Sequence, residues 1–589
     1  MRLPASAVPH KSPVDGCWAL CYPRTCHEAS PRGRPRADGP QKGGSTEMAD
    51  HLDVGEFARQ LYHYRNVTHL SASQAREMAG PFGQVTEFGS LSFHSNVRNR
   101  SSGLTVYVGG DSVSQRSLTS RQQAILDGVP DTLVRVHRYL DRAPVVCTQR
   151  TMGDNSVFNP RCTVFVSTYA KDTVRIPYMW GETLPAYRPQ LPGPEFSLIF
   201  VPEWPEKDRQ ILVFPDEGVT FVLGSDYVGE AKKGFLRLAM WFAKQQGMLG
   251  VHAGSKIVEA LHPDGKLRRY SMLLFGLSAT GKTTHSCHTH GLDGEGEGMD
   301  VVQDDVCFLR DDGSALGTER GFYLKTEGLD PHSQPLLYHA AVQTDAIFEN
   351  VMVDYLGRLY MGNEVLTGNG RAIVQRDDLG GLASESIDLP PVDELDGLII
   401  GFITRRNTIL PPAAKLTPAQ GAAAFMLGES VHTSGSDPTK AGQSIREVGT
   451  NPFIIGSEAE EGNRFYEFVC NHPEKIQCYQ LNTGGVGEII VEEHGEKVSK
   501  QKVTRVEINE MAAIIRGIVR EQIEWEDEPV WGTQVTKAVE QVDLSRFDLA
   551  NYYDQAMIDE FIEKLRGERR AHLEKFEGLN PDIINALNI

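Results

Sequence analysis

The chain has 589 residues, 40% of them hydrophobic, 8% aromatic and 23% charged, and its 59 Lys and Arg face 78 Asp and Glu for a formal net charge of −19. Such a composition supports large folded cores and is neither disordered nor fibrous, and its acidity argues against broad binding to nucleic acid or an anionic membrane. No stretch approaches the roughly 18 uninterrupted apolar residues of a spanning helix, which excludes a membrane protein.

Residues 1–47 run against this charge. They carry seven Lys and Arg and four Asp and Glu, net +3, so the remainder carries −22, which is −19 less +3. Seven prolines and the lack of any helical or strand periodicity describe a segment that builds no core. A secretory signal needs an apolar run of about 7 to 15 residues, and Pro4 and Pro9 interrupt the one stretch that begins to resemble it. We expect a disordered or dispensable leader, or upstream sequence before a start at Met48; an organelle-targeting leader fits less well because the segment is so rich in proline. Cys17, Cys21, Cys26 and His27 carry zinc-binding atoms but lack paired ligands on a knuckle. Cys147, Cys162, Cys287, Cys307, Cys470 and Cys478 are scattered and read as reduced thiols of a cytoplasmic enzyme.

From Met48 the pattern becomes globular. FARQLYHYRNVTHL and RQQAILDGVPDTLVRVHRYL repeat apolar residues three and four apart and predict helices. LTVYVG, CTVFVSTYA, FSLIFVP, ILVFPD and VTFVLG predict strands. Next, VLGSDYVGEAKKGF places Tyr227, Glu230, Lys232 and Lys233 ahead of a helix LRLAMWFAKQQ, which runs on to MLGVHAGSK and His252. Adjacent lysines usually mark a solvated face, but a lysine whose pKa is depressed by a neighbouring cation becomes a metal ligand. Alternating helix and strand signals predict a mixed α/β fold.

YSMLLF, suited to a buried strand, leads into Gly276-Leu277-Ser278-Ala279-Thr280-Gly281-Lys282-Thr283, a complete G-x-x-x-x-G-K-[ST] phosphate loop. Its glycines let successive N–H groups point at phosphate oxygens, Lys282 reaches the β and γ phosphates, and the Thr283 hydroxyl takes a divalent cation. MDVVQDDVCFL supplies Asp304 and Asp305 within an apolar strand as a second source of cation ligands. His285, Cys287, His288 and His290 crowd the helix behind the loop. A metal pair from His285 and His288 is weighed against incidental histidines on a partly solvated helix, and the second reading is preferred. YDQAMIDEFIEKLRGERRAHLEKF predicts an amphipathic terminal helix packed on the surface.

In this order the blocks Tyr227-Val-Gly-Glu-Ala-Lys232-Lys233-Gly, Gly-Val-His252, Phe275 to Thr284, Asp304-Asp305 and Glu319-Arg-Gly-Phe-Tyr-Leu-Lys325 resemble the ATP-dependent phosphoenolpyruvate carboxykinase family. Asn369-Gly-Arg371, Ile409 to Thr417 and Leu481-Asn-Thr-Gly484 extend the resemblance. It implies conversion of oxaloacetate and ATP to phosphoenolpyruvate, ADP and CO2, in gluconeogenesis, with Mn2+ at the substrate and Mg2+ carried by the nucleotide. It places Lys233, His252 and Asp305 on the manganese, Lys232 near the reacting phosphate and carboxylate, and Arg371 on both phosphate and substrate. Thr283 falls to the nucleotide metal, Asp304 is a further metal ligand, and Lys325 lies in the block that lines the phosphate channel. Tyr227 and Arg100 take the substrate carboxylates, with Arg98 an open alternative to Arg100. Gly276 to Thr284, Gln334, Arg446 and Thr450 are the nucleotide contacts.

Four places depart from the family pattern, one of them the block around Arg100, which lacks the usual Thr-Gly-Arg-Ser-Pro form. Ala279 stands where a glycine is usual and Gln334 where a glutamate is frequent, and the stretch around Arg446 that should hold adenine is poorly matched. The resemblance also implies an N-terminal substrate lobe, 48–247, a nucleotide-binding lobe, 248–589, and a site in the cleft between them. A phosphate-loop kinase without decarboxylase activity, and a nucleotide-gated regulatory protein, are the competing readings. Neither has a use for Tyr227, the lysine pair and His252.

Overall fold

The computed structural model describes residues 53–113, 118–277, 280–431, 443–493 and 496–586. The leader with Cys17, Cys21, Cys26 and His27, and the loop positions Ser278 and Ala279, lie outside the described residues.

The first large sheet is built from β1 (Val67–His69), β2 (Thr105–Tyr107), β3 (Val145–Thr151), β4 (Arg161–Ser167), β5 (Glu195–Val201), β6 (Gln210–Phe214) and β7 (Val219–Leu223), in the spatial order β1-β3-β4-β5-β7-β6-β2. All five predicted strand runs are strands here. Side chains alternate across a pleated strand. Phe196, Leu198 and Phe200 of β5 therefore enter one core while Ile199 and Val201 enter another on the opposite face. A strand buried on both faces reads as the nearly continuous apolar run seen in FSLIFV.

Two predicted helices needed correction. FARQLYHYRNVTHL is helical only at its start: the helix Val54–Leu61 is capped by Asp53, which accepts from the Glu56 N–H at 2.7 Å. Val67–His69 instead pairs in parallel with Val145–Cys147 at the sheet edge, where backbone pairing outweighs local periodicity. The second run divides into Ser120–Asp127 and Val129–Leu140 at Gly128, followed by Pro130 near the start of the second helix.

Helix α1 (Val228–Gln245) packs on the first sheet through Phe235, Leu238 and Ala239. Gly234 permits the approach, because a Cβ there would lie 2.5 Å from Leu198 Cδ2. The helix starts directly after Tyr227, so Lys232 and Lys233 belong to it instead of preceding it as the sequence suggested. Nothing between Val228 and Gly234 breaks a helix, and the glycines in that stretch serve packing.

The second large sheet is built from β8 (Ala253–Leu261), β9 (Leu267–Gly276), β10 (Gly298–Gln303), β11 (Gly397–Thr404), β12 (Ala413–Leu416), β13 (Ile476–Asn482), β14 (Glu524–Glu528) and β15 (Thr533–Ala538). Their order is β10-β8-β9-β11-β13-β12-β15-β14, with β9, β11 and β13 mutually parallel. Again alternate residues serve two cores: Met272 and Leu274 on one face of β9, Leu273 and Phe275 on the other. The terminal helix Gln555–Leu573 has the expected mixed surface, except that Arg569 is 2% exposed and paired with Glu429. Among the described residues no helix is long and apolar enough to cross a membrane, and Cys147, Cys162, Cys287, Cys307, Cys470 and Cys478 are unpaired.

Candidate active site

The site gathers where α1, the start of β8 and the ends of β9 and β10 meet. β9 ends at Gly276, and Leu277 O accepts from the Thr280 N–H at 3.2 Å and its hydroxyl at 2.8 Å. Gly281 has φ +100°, a left-handed conformation that glycine adopts without steric cost. A five-residue helix, α2 (Lys282–Ser286), comes next and carries Lys282, Thr283 and Thr284. The Thr284 hydroxyl donates to Gln334 Oε1 at 3.2 Å, and Gln334 Nε2 donates to Gly328 O at 2.9 Å.

Asp304 and Asp305 sit just past the end of β10, in the bend before the strand Cys307–Leu309, and so not within a strand as expected. Asp305 is the hub. Its Oδ2 accepts from both Lys232 and Lys233, and its Oδ1 lies 2.9 Å from His252 Nε2 and 3.8 Å from Lys282 Nζ. Lys232, 2% exposed, also bonds Glu319 Oε2 at 2.5 Å. Burial acts to raise the Asp305 pKa, but the ammoniums of Lys232 and Lys233 hold its carboxyl well below the usual range. Burial acts to lower that of Lys232, and Asp305 and Glu319 override it and raise it.

Lys233 goes the other way. Burial, then the neighbouring cations Lys232 and Lys282, outweigh Asp305 and bring its pKa down to about 7. His252 is brought down to about 4 by burial and by Lys282, so its ring is neutral at pH 7. Its Nδ1 faces the Thr450 carbonyl at 2.6 Å and must carry the ring proton to make that bond. Nε2 is then a lone pair, aimed at the Asp305 carboxylate and accepting from Lys282 Nζ at 3.1 Å. Two acceptors facing each other at 2.9 Å, beside a lysine near its point of deprotonation, are atoms that could ligate a divalent cation. Asp304, beside the Thr283 hydroxyl, is raised to about 6 by burial and keeps Oδ1 buried and unpartnered. These residues fit a second cation.

The remaining candidates form a polar chain. Asn369 Nδ2 donates to the Tyr227 hydroxyl at 3.1 Å and to Arg98 O at 2.7 Å, while Arg371 Nη2 donates to Asn369 Oδ1 at 2.6 Å. Tyr323 OH donates to Glu349 Oε2 at 3.1 Å and shares a hydrogen bond with the Tyr227 hydroxyl at 3.2 Å, and the Arg371 guanidinium lies 5.3 Å from the Tyr323 ring. The strand Arg371–Val374 pairs Arg371 with Lys325 on one side and Glu349 on the other. Lys325 bonds Glu327. Arg98 is exposed and its guanidinium bonds Leu366 O, whereas Arg100 lies over the Phe453 ring at 4.7 Å, close to Lys233.

Sequence reasoning gave no role to Glu319, Tyr323, Asn369 or Phe453. The first three lie in blocks already singled out, and only their contacts reveal them. Thr450 and Arg446 behave differently from the other nucleotide candidates: Thr450 holds His252 through its carbonyl, and Arg446 is paired with Glu568 at 3.0 Å and Glu429 at 3.5 Å. The histidine group is not on a partly solvated helix. His285 and His290 are 2% and 1% exposed, and α2 ends before His288. Among the described residues no group of three His, Cys, Asp or Glu is arranged to hold a metal ion.

The family profile described as phosphoenolpyruvate carboxykinase matches residues 60–545. The phosphoenolpyruvate carboxykinase (ATP) of Aeropyrum pernix is 31% identical over 377 residues, 63% of this chain and 70% of that protein. That of Rhodopseudomonas palustris strain HaA2 is 25% identical over 367 residues, covering 61% and 62%. The glycosomal enzyme of Trypanosoma cruzi is 28% identical over 314 residues, covering 53% and 60%. The chain thus spans just under two thirds of the length of the latter two.

Proposed function

This chain belongs to the ATP-dependent phosphoenolpyruvate carboxykinase family, and on that premise we propose that it interconverts oxaloacetate plus ATP and phosphoenolpyruvate plus ADP and CO2. In the direction of phosphoenolpyruvate this is a step of gluconeogenesis. The observation that carries the reading is the convergence of Lys232, Lys233, His252 and Lys282 on Asp305. A simple phosphate-loop kinase uses Lys282 and a nearby acid but has no use for a second donor set beside them.

Lys233, His252 and Asp305 would hold Mn2+ at the substrate, and Thr283 with Asp304 would hold the Mg2+ that accompanies ATP. When bound, these ions polarise substrate oxygens and offset phosphate charge. Arg100, Tyr227 and Arg371 orient the oxaloacetate carboxylates for loss of CO2. Lys282, Lys232 and Arg371 are cations fixed in place before reaction, where developing negative charge needs them without reorganisation. The loop from Gly276 to Thr284 cradles the phosphates, Lys325 lines their path, and Gln334 sits at the loop's edge for the nucleotide. Thr450 keeps His252 in the tautomer whose Nε2 is free to ligate.

The site would lie between an N-terminal lobe, 48–247, and a nucleotide-binding lobe, 248–589, whose closure would exclude water. The two large sheets draw their strands from opposite sides of α1 in the sequence, which supports this division, while a smaller sheet crosses it by pairing Leu91–Phe93 with Ile347–Glu349. The test is formation of phosphoenolpyruvate from oxaloacetate with manganese, magnesium and either ATP or GTP. Product with ATP is expected; no product with either nucleotide overturns the assignment.

A further inference from the structure

The Phe453 ring is a meeting point for basic groups. Arg100 Cζ lies 4.7 Å from its centroid, Lys233 Nζ 5.1 Å and Arg237 Cζ 6.0 Å, and the His252 ring meets it edge-on at 5.8 Å. Lys233 and His252 have their partner in Asp305. The two arginines have no hydrogen-bonding or ion-pair partner among the described residues. Arg237 is 3% exposed, with Nε and Nη1 both buried and unpartnered, and its guanidinium lies over the rings of Phe453 and, at 5.6 Å, Tyr107. Burial and then the charge of Arg237 push the Arg100 guanidinium below its usual pKa. Glu230 also acts on Arg100, but its Oε1 is taken by the Ser101 N–H at 2.5 Å.

A buried cation with no counter-charge is costly, and buried donors are almost always satisfied. Arg237 is such a cation among the described residues, and the half-buried Arg100 lies against the same Phe453 ring, its charge opposed by that of Arg237 and offset only in part by Glu230, so that an anion between them would relieve both. Arg237 stands four residues after Lys233 on α1 and so shares its face of the helix. The planar fork of arginine suits a carboxylate, which accepts at both oxygens.

We propose that Arg237 and Arg100 form a two-guanidinium subsite that receives a carboxylate of the dicarboxylate substrate, which makes Arg237 a further specificity-determining residue. This rests on the reading of the site given above. Arg237 adds a second fork to the single arginine that the sequence blocks suggested, and selects a fully ionised carboxylate over its amide or ester.

The test uses the full chain carrying Arg237→Gln or Arg237→Lys, with malonate as the probe and no metal or nucleotide. Malonate should raise the melting temperature of the wild type, as a ligand of the folded state does. Arg237→Gln should melt no lower than the wild type without malonate, because it removes an unpaired buried charge. It should need at least tenfold more malonate for the same rise. Its KM for oxaloacetate should increase about tenfold with the KM for ATP within twofold, and Arg237→Lys, which keeps the charge without the fork, should fall between. If Arg237→Gln melts lower while the malonate response and the oxaloacetate KM stay unchanged, Arg237 is a packing residue and the proposal is overturned. Should the wild type make no phosphoenolpyruvate, the assignment of the reaction fails, and the malonate titration still decides whether the paired arginines bind a carboxylate.

Discussion

Two groups of buried and half-buried arginines occupy this protein and are treated in opposite ways. Around Glu429, Arg406 and Arg446 lie at 3.0 and 3.5 Å from one carboxylate oxygen and Arg569 grips the carboxylate through Nε and Nη2, with Glu568 as a second acid. Burial acts to raise the Glu429 pKa, and the three guanidiniums override it and hold the carboxyl far below its normal range. Around Phe453, Arg100 and Arg237 have aromatic faces but no ion-pair partner among the described residues, and the Glu230 carboxylate acts on Arg100 only from a distance. A buried charge that the protein itself neutralises is a staple, here tying the terminal helix to the two-stranded ribbon of Glu429–Val431 and Ser444–Arg446. One that it leaves unneutralised is waiting for a ligand. The Asp305 cluster stands between the two, with cations in excess and a histidine lone pair facing a carboxylate.

That contrast sets the size of each mutational effect. Lys233→Ala or His252→Ala should reduce kcat by about a thousandfold, a loss typical of preorganised charge at a reacting centre, with little change in the urea midpoint and with ATP binding retained. Full activity in both variants would remove the metal site. Glu429→Gln strands three arginines and should cost about 3 kcal/mol of stability in urea unfolding, while leaving the oxaloacetate KM of the folded fraction unchanged. A neutral effect on stability would erase the distinction between paired and unpaired arginines.

Lys256 offers a smaller, pH-dependent contrast with Lys233. Burial alone brings its pKa down to about 7, without a cationic neighbour. Its Nζ meets His285 O at 2.7 Å, His288 O at 3.1 Å and His290 Nδ1 at 3.1 Å, which a neutral amine satisfies with two donors and one lone pair. The unfolded chain keeps the Lys256 proton up to its ordinary value of 10.5. Between about 7 and 10.5 the unfolded state therefore binds more protons, and stability rises with pH; below 7 this slope vanishes. Urea midpoints of the wild type at about pH 7 and about pH 9.5 should rise relative to those of Lys256→Met. Equal slopes would mean the folded lysine keeps its proton. The smallest effect is expected at Thr450, a β-branched residue at φ +51°. Thr450→Gly should recover about 1 kcal/mol of backbone strain with kcat within tenfold, since the carbonyl that orients His252 remains.

Much of this site was legible in the sequence because its chemistry is local. A glycine-rich loop after an apolar run, a lysine pair and an aspartate pair announce themselves by residue type and spacing, and the strands of the first sheet by their uninterrupted apolar runs. What escaped was set by distant partners. Val67–His69 is a strand because Val145–Cys147 offers it an edge. Thr450 matters through its carbonyl, Phe453 through the four basic groups around it, and Arg569 through a carboxylate 140 residues away. Arg237 reads as one more polar residue in an amphipathic helix until its lack of an ion-pair partner among the described residues is seen.

The proposed chemistry hinges on whether Lys233, His252 and Asp305 hold a divalent cation beside the phosphate loop. Titration of the nucleotide-free protein with Mn2+, followed through the electron paramagnetic resonance signal of the free ion, addresses that site without any turnover. The wild type should show a saturable site whose affinity falls at least tenfold in His252→Ala. Equal Mn2+ binding by the two proteins would mean that these three residues do not hold the ion.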